Sequence, residues 1–269
     1  MSPVGRHIRR WRAVRRMSQL DLAIAAGTTA RHLSFVETGR SRPGRELILR
    51  IGGALRVPLP DRNTLLAAAG FPAAFPAHDL GSQAMEPVDR ILEAVLRGHE
   101  AYPAWLVRQP FTFLRANTGA EALFPGLTQL SPAQLIDMWF GPGPFRDQVI
   151  NWAEVAQAGL TALRNAAADT GGKEVLGLLR QAEAHAQHLA VPEPGTGSSL
   201  VACPVFQLNG QTVRTISAVM RFDTAVEVTT SQLRIELMFP ADDAAEAFFR
   251  GHVPARPPGG SGTAPVPQS

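Results

Sequence analysis

The stretch SQLDLAIAAGTTARHLSFVETGR, Ser18 to Arg40, decides how this chain is read. Ser18 precedes an apolar run at helical spacing, as a helix N-cap residue does. Small Ala23 lets two helices cross closely, and Gly27 takes a backbone turn that a side chain would hinder. Thr28 then caps a second helix ending at Gly39, so the pattern predicts helices over Ser18 to Ala26 and Thr29 to Thr38, with Leu22, Leu33 and Val36 burying their inner faces. Outward from this pair, three more helices are expected over Val4 to Met17, Arg45 to Leu55 and Pro60 to Ala69, the last stopped at Gly70. Leu20, Ala23, Ile24, Leu33, Val36, Leu47, Ile51, Leu55, Leu65 and Leu66 recur at helical spacing and predict one small core.

Charge separates this end from the rest. Residues 1 to 62 hold 13 arginines against 4 acids, a net of +9, whereas residues 63 to 269 hold 13 basic and 19 acidic groups, a net of −6. A polyanion partner for the N-terminal unit alone follows from that asymmetry. The length of 269 residues with 45% hydrophobic composition suits two folded units. The arginine-rich start carries no apolar signal segment and no run of eighteen uncharged apolar residues occurs, so a cytoplasmic location without membrane association is expected.

The Ser18 to Arg40 string resembles the helix-turn-helix of the Xre family of DNA-binding regulators. The resemblance implies that Thr29 to Glu37 is a recognition helix in the major groove, with Thr29, Ala30, Arg31, Ser34 and Phe35 toward base edges. Arg31 is the leading base reader, since a guanidinium donates two hydrogen bonds to guanine O6 and N7, while Ala30 or Phe35 suits a thymine methyl. Gln19, Arg40, Arg42 and Arg45 would hold phosphates. Two plainer readings stand beside these: the three loop arginines as solvated surface, and Phe35 as a lid on the core. Arg12 and Glu37 form an internal ion pair in the family and are expected to be structural.

Pro72, Pro76, Gly81 and Pro87 interrupt every period, which places a linker at 73–87 between a helix-turn-helix unit at 1–72 and a second domain at 88–250. In that domain helices are expected at Val88 to His99, from Asn117, at Gln134 to Phe140, Asn151 to Ala168 and Glu174 to Leu189. Strands are expected at Ala104 to Arg108, Phe111 to Arg115, Val201 to Leu208, Thr212 to Phe222 and Arg234 to Phe239, with Asn209-Gly210 as a hairpin turn. Pro240-Ala241-Asp242-Asp243 opens a last helix reaching Phe249, and the Pro, Gly and Ser of 251–269 predict a disordered tail. The fold class is therefore an all-α domain of five short helices followed by an α+β domain with a small antiparallel sheet.

The segments EAYPA from Glu100, NTGAEALF from Asn117, VINW from Val149 and LRIELMFPAD from Leu233 resemble the ligand-binding domain of the MmyB-like regulators. That resemblance implies a PAS-like domain able to enclose a fatty-acid-like molecule behind an Xre-type reader, over roughly residues 5 to 250. The chain departs from the family at Gly141-Pro142-Gly143-Pro144 after Trp139-Phe140. Trp105, Val107, Phe111, Phe113, Trp139, Phe140, Trp152, Phe206 and Phe222 are candidates to line a cavity, although for any one of them alone plain core packing is the more ordinary reading. Arg108, Arg115, Arg146 and Arg221 are the candidates to meet a carboxylate.

No Gly-x-Ser-x-Gly elbow, paired cysteines or P-loop occurs, so no enzyme and no cofactor is expected. Cys203 reads as a buried thiol, and His185-x-x-His188 as a weak metal pair. The expected function is a sequence-specific DNA-binding regulator. Its partners would be double-stranded operator DNA, a second copy in a homodimer, and a fatty-acid-like effector. The alternative is a ligand-independent repressor whose second domain only mediates dimerisation or protein contacts.

Overall fold

The computed structural model describes residues 1–170, 172–187, 189 and 202–252. Five helices open the chain: α1 Pro3–Val14, α2 Gln19–Ala25, α3 Ala30–Thr38, α4 Arg45–Ala54 and α5 Leu59–Ala68. They close around Ile8, Trp11, Leu22, Leu33, Ile48, Ile51, Leu55, Leu65 and Leu66, all essentially without exposure. Two expected core residues are not there. Leu20 and Ile24 are 58% and 71% exposed on the outer face of α2, because the helix is seven residues long and only the row carrying Leu22, Ala23 and Ala26 meets its neighbours. Helices α1 and α3 cross closely, since a Cβ on Gly5 would collide with the backbone of Glu37.

The connection at 73–87 is held in place. Asn63 on α5 accepts from the amides of Ala74 and Phe75 and donates to the carbonyl of Phe75. The remaining elements are α6 Glu86–Gly98, β1 Ala104–Arg108, β2 Thr112–Ala116, α7 Thr118–Leu123, α8 Pro132–Phe140, α9 Pro144–Asp147, α10 Trp152–Thr170 and α11 Lys173–Ala186, then β3 Val205–Leu208, β4 Gln211–Arg221, α12 Val228–Gln232, β5 Leu233–Pro240 and α13 Asp243–His252. The short α9 and α12 have no counterpart in the sequence reading. Gly251 and His252, expected in the tail, belong to α13, whereas 253–269, His188 and the Val201 start of the expected strand lie outside the described residues.

The strands form one antiparallel sheet in the order β2-β1-β5-β4-β3. Asn209 and Gly210, both at positive φ (49° and 77°), make the tight turn from β3 to β4, as their side chains allow. Period-two alternation splits the sheet into two faces. Ala104, Leu106, Leu233 and Ile235 pack with Leu92 and Leu96 of α6. Trp105, Val107, Phe113, Phe206, Val213 and Met238 face the opposite way, into the core built by α7, α8, α10, α11 and α13. Asn117 fixes the corner after β2 while 6% exposed. Its Oδ1 accepts from the Ala104 and Ala120 amides, and its Nδ2 donates to the Leu96 and Tyr102 carbonyls.

Candidate nucleic-acid interface and ligand cavity

The turn between α2 and α3 is built by local capping. Ser18 Oγ accepts from the Asp21 amide at 3.1 Å and Asp21 returns the bond to the Ser18 amide at 3.0 Å. Gly27 sits at φ 62°, and the cap of α3 is Thr29, one residue beyond the expected Thr28, its Oγ1 accepting from the His32 amide at 3.1 Å. At the other end Gly39, at φ 85°, stops α3. Arg50 Nε donates to the Ala26 carbonyl at 2.8 Å and satisfies the end of α2.

Leu33 and Val36 are buried, which leaves the opposite side of α3 outward. Arg31 is exposed there and Ala30, Ser34 and Phe35 are half-buried. Phe35 does not close the core. The guanidinium carbons of Arg31 and Arg40 lie 5.5 and 6.0 Å from its ring centre, so the ring carries two cations on the outer surface. Thr29, Arg40, Arg42 and Arg45 are exposed, and Ala30 packs against the core edge.

Beneath this surface Glu37 is fully buried. It accepts from Arg12 Nε at 2.8 Å, from Arg9 Nε at 3.0 Å and from the Gln19 amide nitrogen at 2.8 Å. Burial by itself raises its carboxyl pKa, but the hydrogen bonds from Arg12, Gln19 and Arg9 outweigh that and hold it below the usual carboxylate range. The Arg12–Glu37 pair is thus present, and Gln19, expected on a phosphate, has its amide on Glu37.

Arg10 of α1 and Arg15, the residue that ends that helix, reach the second domain. Arg10 Nη2 donates to the Thr170 carbonyl at 3.1 Å. Arg15 spans both units: it donates to the Leu55 and Arg56 carbonyls beyond α4, and to Ala168 O, Asp169 O and Asp169 Oδ1 at the end of α10. Helix ends leave carbonyls without intrahelical partners and carry partial negative charge, which is what a guanidinium satisfies. Neither residue was singled out in the sequence, because a helix was legible there but not what its C-terminal end packs against.

Within the second domain a cavity of about 70 Å³ lies between the sheet and α8. Trp105, Phe113 and Trp139 of the expected set line it, joined by Phe124, Leu127, Met138 and Phe145, with Ser217 and Glu236 as polar neighbours. Trp139 and Phe145 meet edge to face with ring centres 4.4 Å apart. Val107, Phe140, Trp152 and Phe206 are buried core around it. Phe222 lies on the other sheet face and Phe111 lines a separate groove between α5 and the α10–α11 turn, so the structure does not bring these two to the cavity. Phe124 stood in the NTGAEALF segment, a signal that was there to be used.

The expected cations lie elsewhere. Arg115 binds Asp89 at 2.7 Å and Glu93 at 2.9 Å, Arg146 stacks 3.7 Å over Trp152, and Arg108 and Arg221 are exposed. Cys203 is buried and its sulfur accepts from the Ser217 amide. His185 pairs with Asp137 at 2.7 Å, and among the described residues no cluster of His, Cys, Asp and Glu is placed to hold a metal. Among the same residues no helix is long and apolar enough to cross a membrane.

Comparison with known proteins matches residues 3–65 to the helix-turn-helix domain family and residues 88–251 to the MmyB-like transcription regulator ligand binding domain. A relative in Bacillus subtilis (strain 168), the uncharacterized HTH-type transcriptional regulator RghRB, is 34% identical over 106 residues, which covers 38% of this chain and 74% of that protein.

Proposed function

The chain belongs to the MmyB-like transcription regulators, with a helix-turn-helix DNA-binding domain ahead of a ligand-binding domain, and from that premise we propose that it acts as a dimeric repressor or activator whose operator affinity is set by a small lipophilic effector of fatty-acid type. One reader contacts too little DNA, roughly 600–1,000 Å², to give a regulator its usual affinity, which favours two copies on a two-fold operator. Arg31, with Ala30, Ser34 and Phe35, reads base edges, while Arg40, Arg42 and Arg45 hold phosphates on either side.

The observation that carries ligand control is the single Arg15 side chain bonded to both domains. The α10 helix that it caps runs 19 residues, roughly 28 Å, back to Trp152, whose indole N–H donates to the carbonyl of Trp139 in the cavity wall. An occupant that moves Trp139 therefore acts on one end of a rigid rod whose other end positions α1. A coupling of about 1–3 kcal/mol, the ordinary range, requires only that the effector bind one reader arrangement more tightly than the other.

The ligand-independent alternative is favoured by cavity size. About 70 Å³ is half of the roughly 150 Å³ that holds benzene in an apolar core, so a lipid chain enters only by displacing wall residues, of which Met138 is the most adaptable. The test is organic extraction and native mass spectrometry of the purified protein, then binding to its selected operator with and without the extracted compound. A bound apolar molecule that changes operator affinity supports the proposal. A protein that carries no such molecule and responds to none leaves the interaction module as the reading.

A further inference from the structure

Phe35 is a ring that the fold keeps at the surface of the DNA-reading helix. Its backbone is fixed where α3 ends, since the Phe35 carbonyl accepts from the amides of Gly39, Arg40 and Ser41 at 3.0, 2.8 and 3.1 Å. The half-buried ring has the guanidinium carbon of Arg31 at 5.5 Å from its centre and that of Arg40 at 6.0 Å. Arg31 lies one helical turn back on the same face, and among the described residues no hydrogen bond or ion pair engages its guanidinium. Glu37, the one acid of α3, is fully buried and held by Arg12, Arg9 and Gln19, so that helix offers Arg31 no competing carboxylate.

We infer that Arg31 and Phe35 read one base step as a unit, a guanine and the C5-methyl of a pyrimidine on the adjoining base pair, so that 5-methylcytosine serves there as thymine does and cytosine does not. This rests on the base-reading role proposed for α3 and specifies the step it reads. A guanidinium donates to guanine O6 and N7, and in the major groove the apolar group offered to a ring is the C5-methyl. Spacing makes the two targets neighbours. Consecutive base pairs lie about 3.4 Å apart along the duplex and alternate ones about 6.8 Å, whereas guanidinium and ring are 5.5 Å apart, more than one step and less than two. The cation–π contact also holds Arg31 beside its target before DNA arrives, which reduces the rotamer freedom lost on binding. A ring against a methyl makes no hydrogen bond, so it does not distinguish the O4 of thymine from the N4 amine of 5-methylcytosine.

The experiment is fluorescence anisotropy of the full chain on a duplex selected from a random pool, with single-base analogues. Replacing each guanine in turn by 7-deazaguanine, which lacks N7, finds the one whose loss is absent in Arg31→Ala. At the pair beside it, thymine→uracil removes only the methyl and should weaken binding about fourfold, and a cytosine placed there should gain about fourfold from a 5-methyl group. Phe35→Ala should bind the thymine and uracil duplexes alike while keeping the 7-deazaguanine loss, with a wild-type circular dichroism melt because the ring lies outside the core. The wild-type comparisons stand alone should that variant fold poorly. Equal wild-type affinity for the thymine and uracil duplexes overturns the inference and leaves base reading by α3 intact. So does a located guanine with no thymine on an adjoining pair, or a thymine–uracil difference that survives in Phe35→Ala. A selected duplex in which no guanine depends on Arg31 removes both.

Discussion

Replacing Glu37 by Gln tests whether the buried carboxylate clamps the DNA-binding bundle. The native side chain is fully buried and takes hydrogen bonds from Arg12, Arg9 and Gln19. Breaking a buried ion pair by removing one partner costs about 3–5 kcal/mol, since the other charge is left without compensation. The lower end applies here. Arg9 is 46% exposed and can turn to water, and Arg12 keeps the Met17 carbonyl at 2.8 Å. A loss of about 3 kcal/mol predicts amide exchange in α1 and α3 faster by on the order of a hundredfold, read by mass spectrometry of peptides from the full chain. The pH dependence has a definite sign. Glu37 has its pKa depressed in the fold, so its contribution is fully present above the unfolded value near 4.3 and is lost as pH falls through the native one. The Gln variant should lack that acid-side loss. Exchange changed by less than about threefold, or an acid profile identical to wild type, would refute the clamp.

Three further outcomes follow from the packing. Gly5→Ala places a Cβ against the Glu37 backbone, which cannot yield as a side chain would, so α1 and α3 must part at a loss of about 3 kcal/mol or more; an unchanged circular dichroism melt contradicts this. Asn117→Ala leaves the Ala104 amide and the Leu96 and Tyr102 carbonyls short of partners in a nearly closed site, and urea denaturation should register more than about 2 kcal/mol; a neutral substitution argues against its role at the corner. Arg15→Ala removes a side chain bonded to carbonyls of both domains, and small-angle scattering should show a wider distribution of interdomain distances, with operator affinity uncoupled from any effector; an identical scattering profile contradicts the anchor.

What could be read in the chain depended on how local its cause was. Caps and turns are written in adjacent residues, so Ser18, Gly27, Gly39 and the Asn209-Gly210 hairpin were legible, and the strand Ala104 to Arg108 matched to the residue. Failures came where a distant partner decides. Leu20 and Ile24 fit the helical period but face outward, since periodicity ranks candidate faces without knowing which one a neighbour covers. Phe111 and Phe222 are as aromatic as Trp105, yet strand register sends Phe222 to the α6 side and the turn after β1 carries Phe111 to the interdomain groove. Arg15 was one arginine among six in α1 and the turn after it, and the end of α10 is what makes it distinct.

The most direct measurement is a salt titration of fluorescence anisotropy with the full chain on a duplex selected from a random pool and on a scrambled duplex. Log affinity is expected to fall linearly with log salt on both, with a higher affinity for the selected duplex and a loss of about 1–3 kcal/mol confined to that duplex on Arg31→Ala, whereas Arg42→Ala weakens both alike and lowers the slope by about one. Salt-independent binding, or an Arg31→Ala loss equal on both duplexes, would contradict the placement of α3 in the major groove.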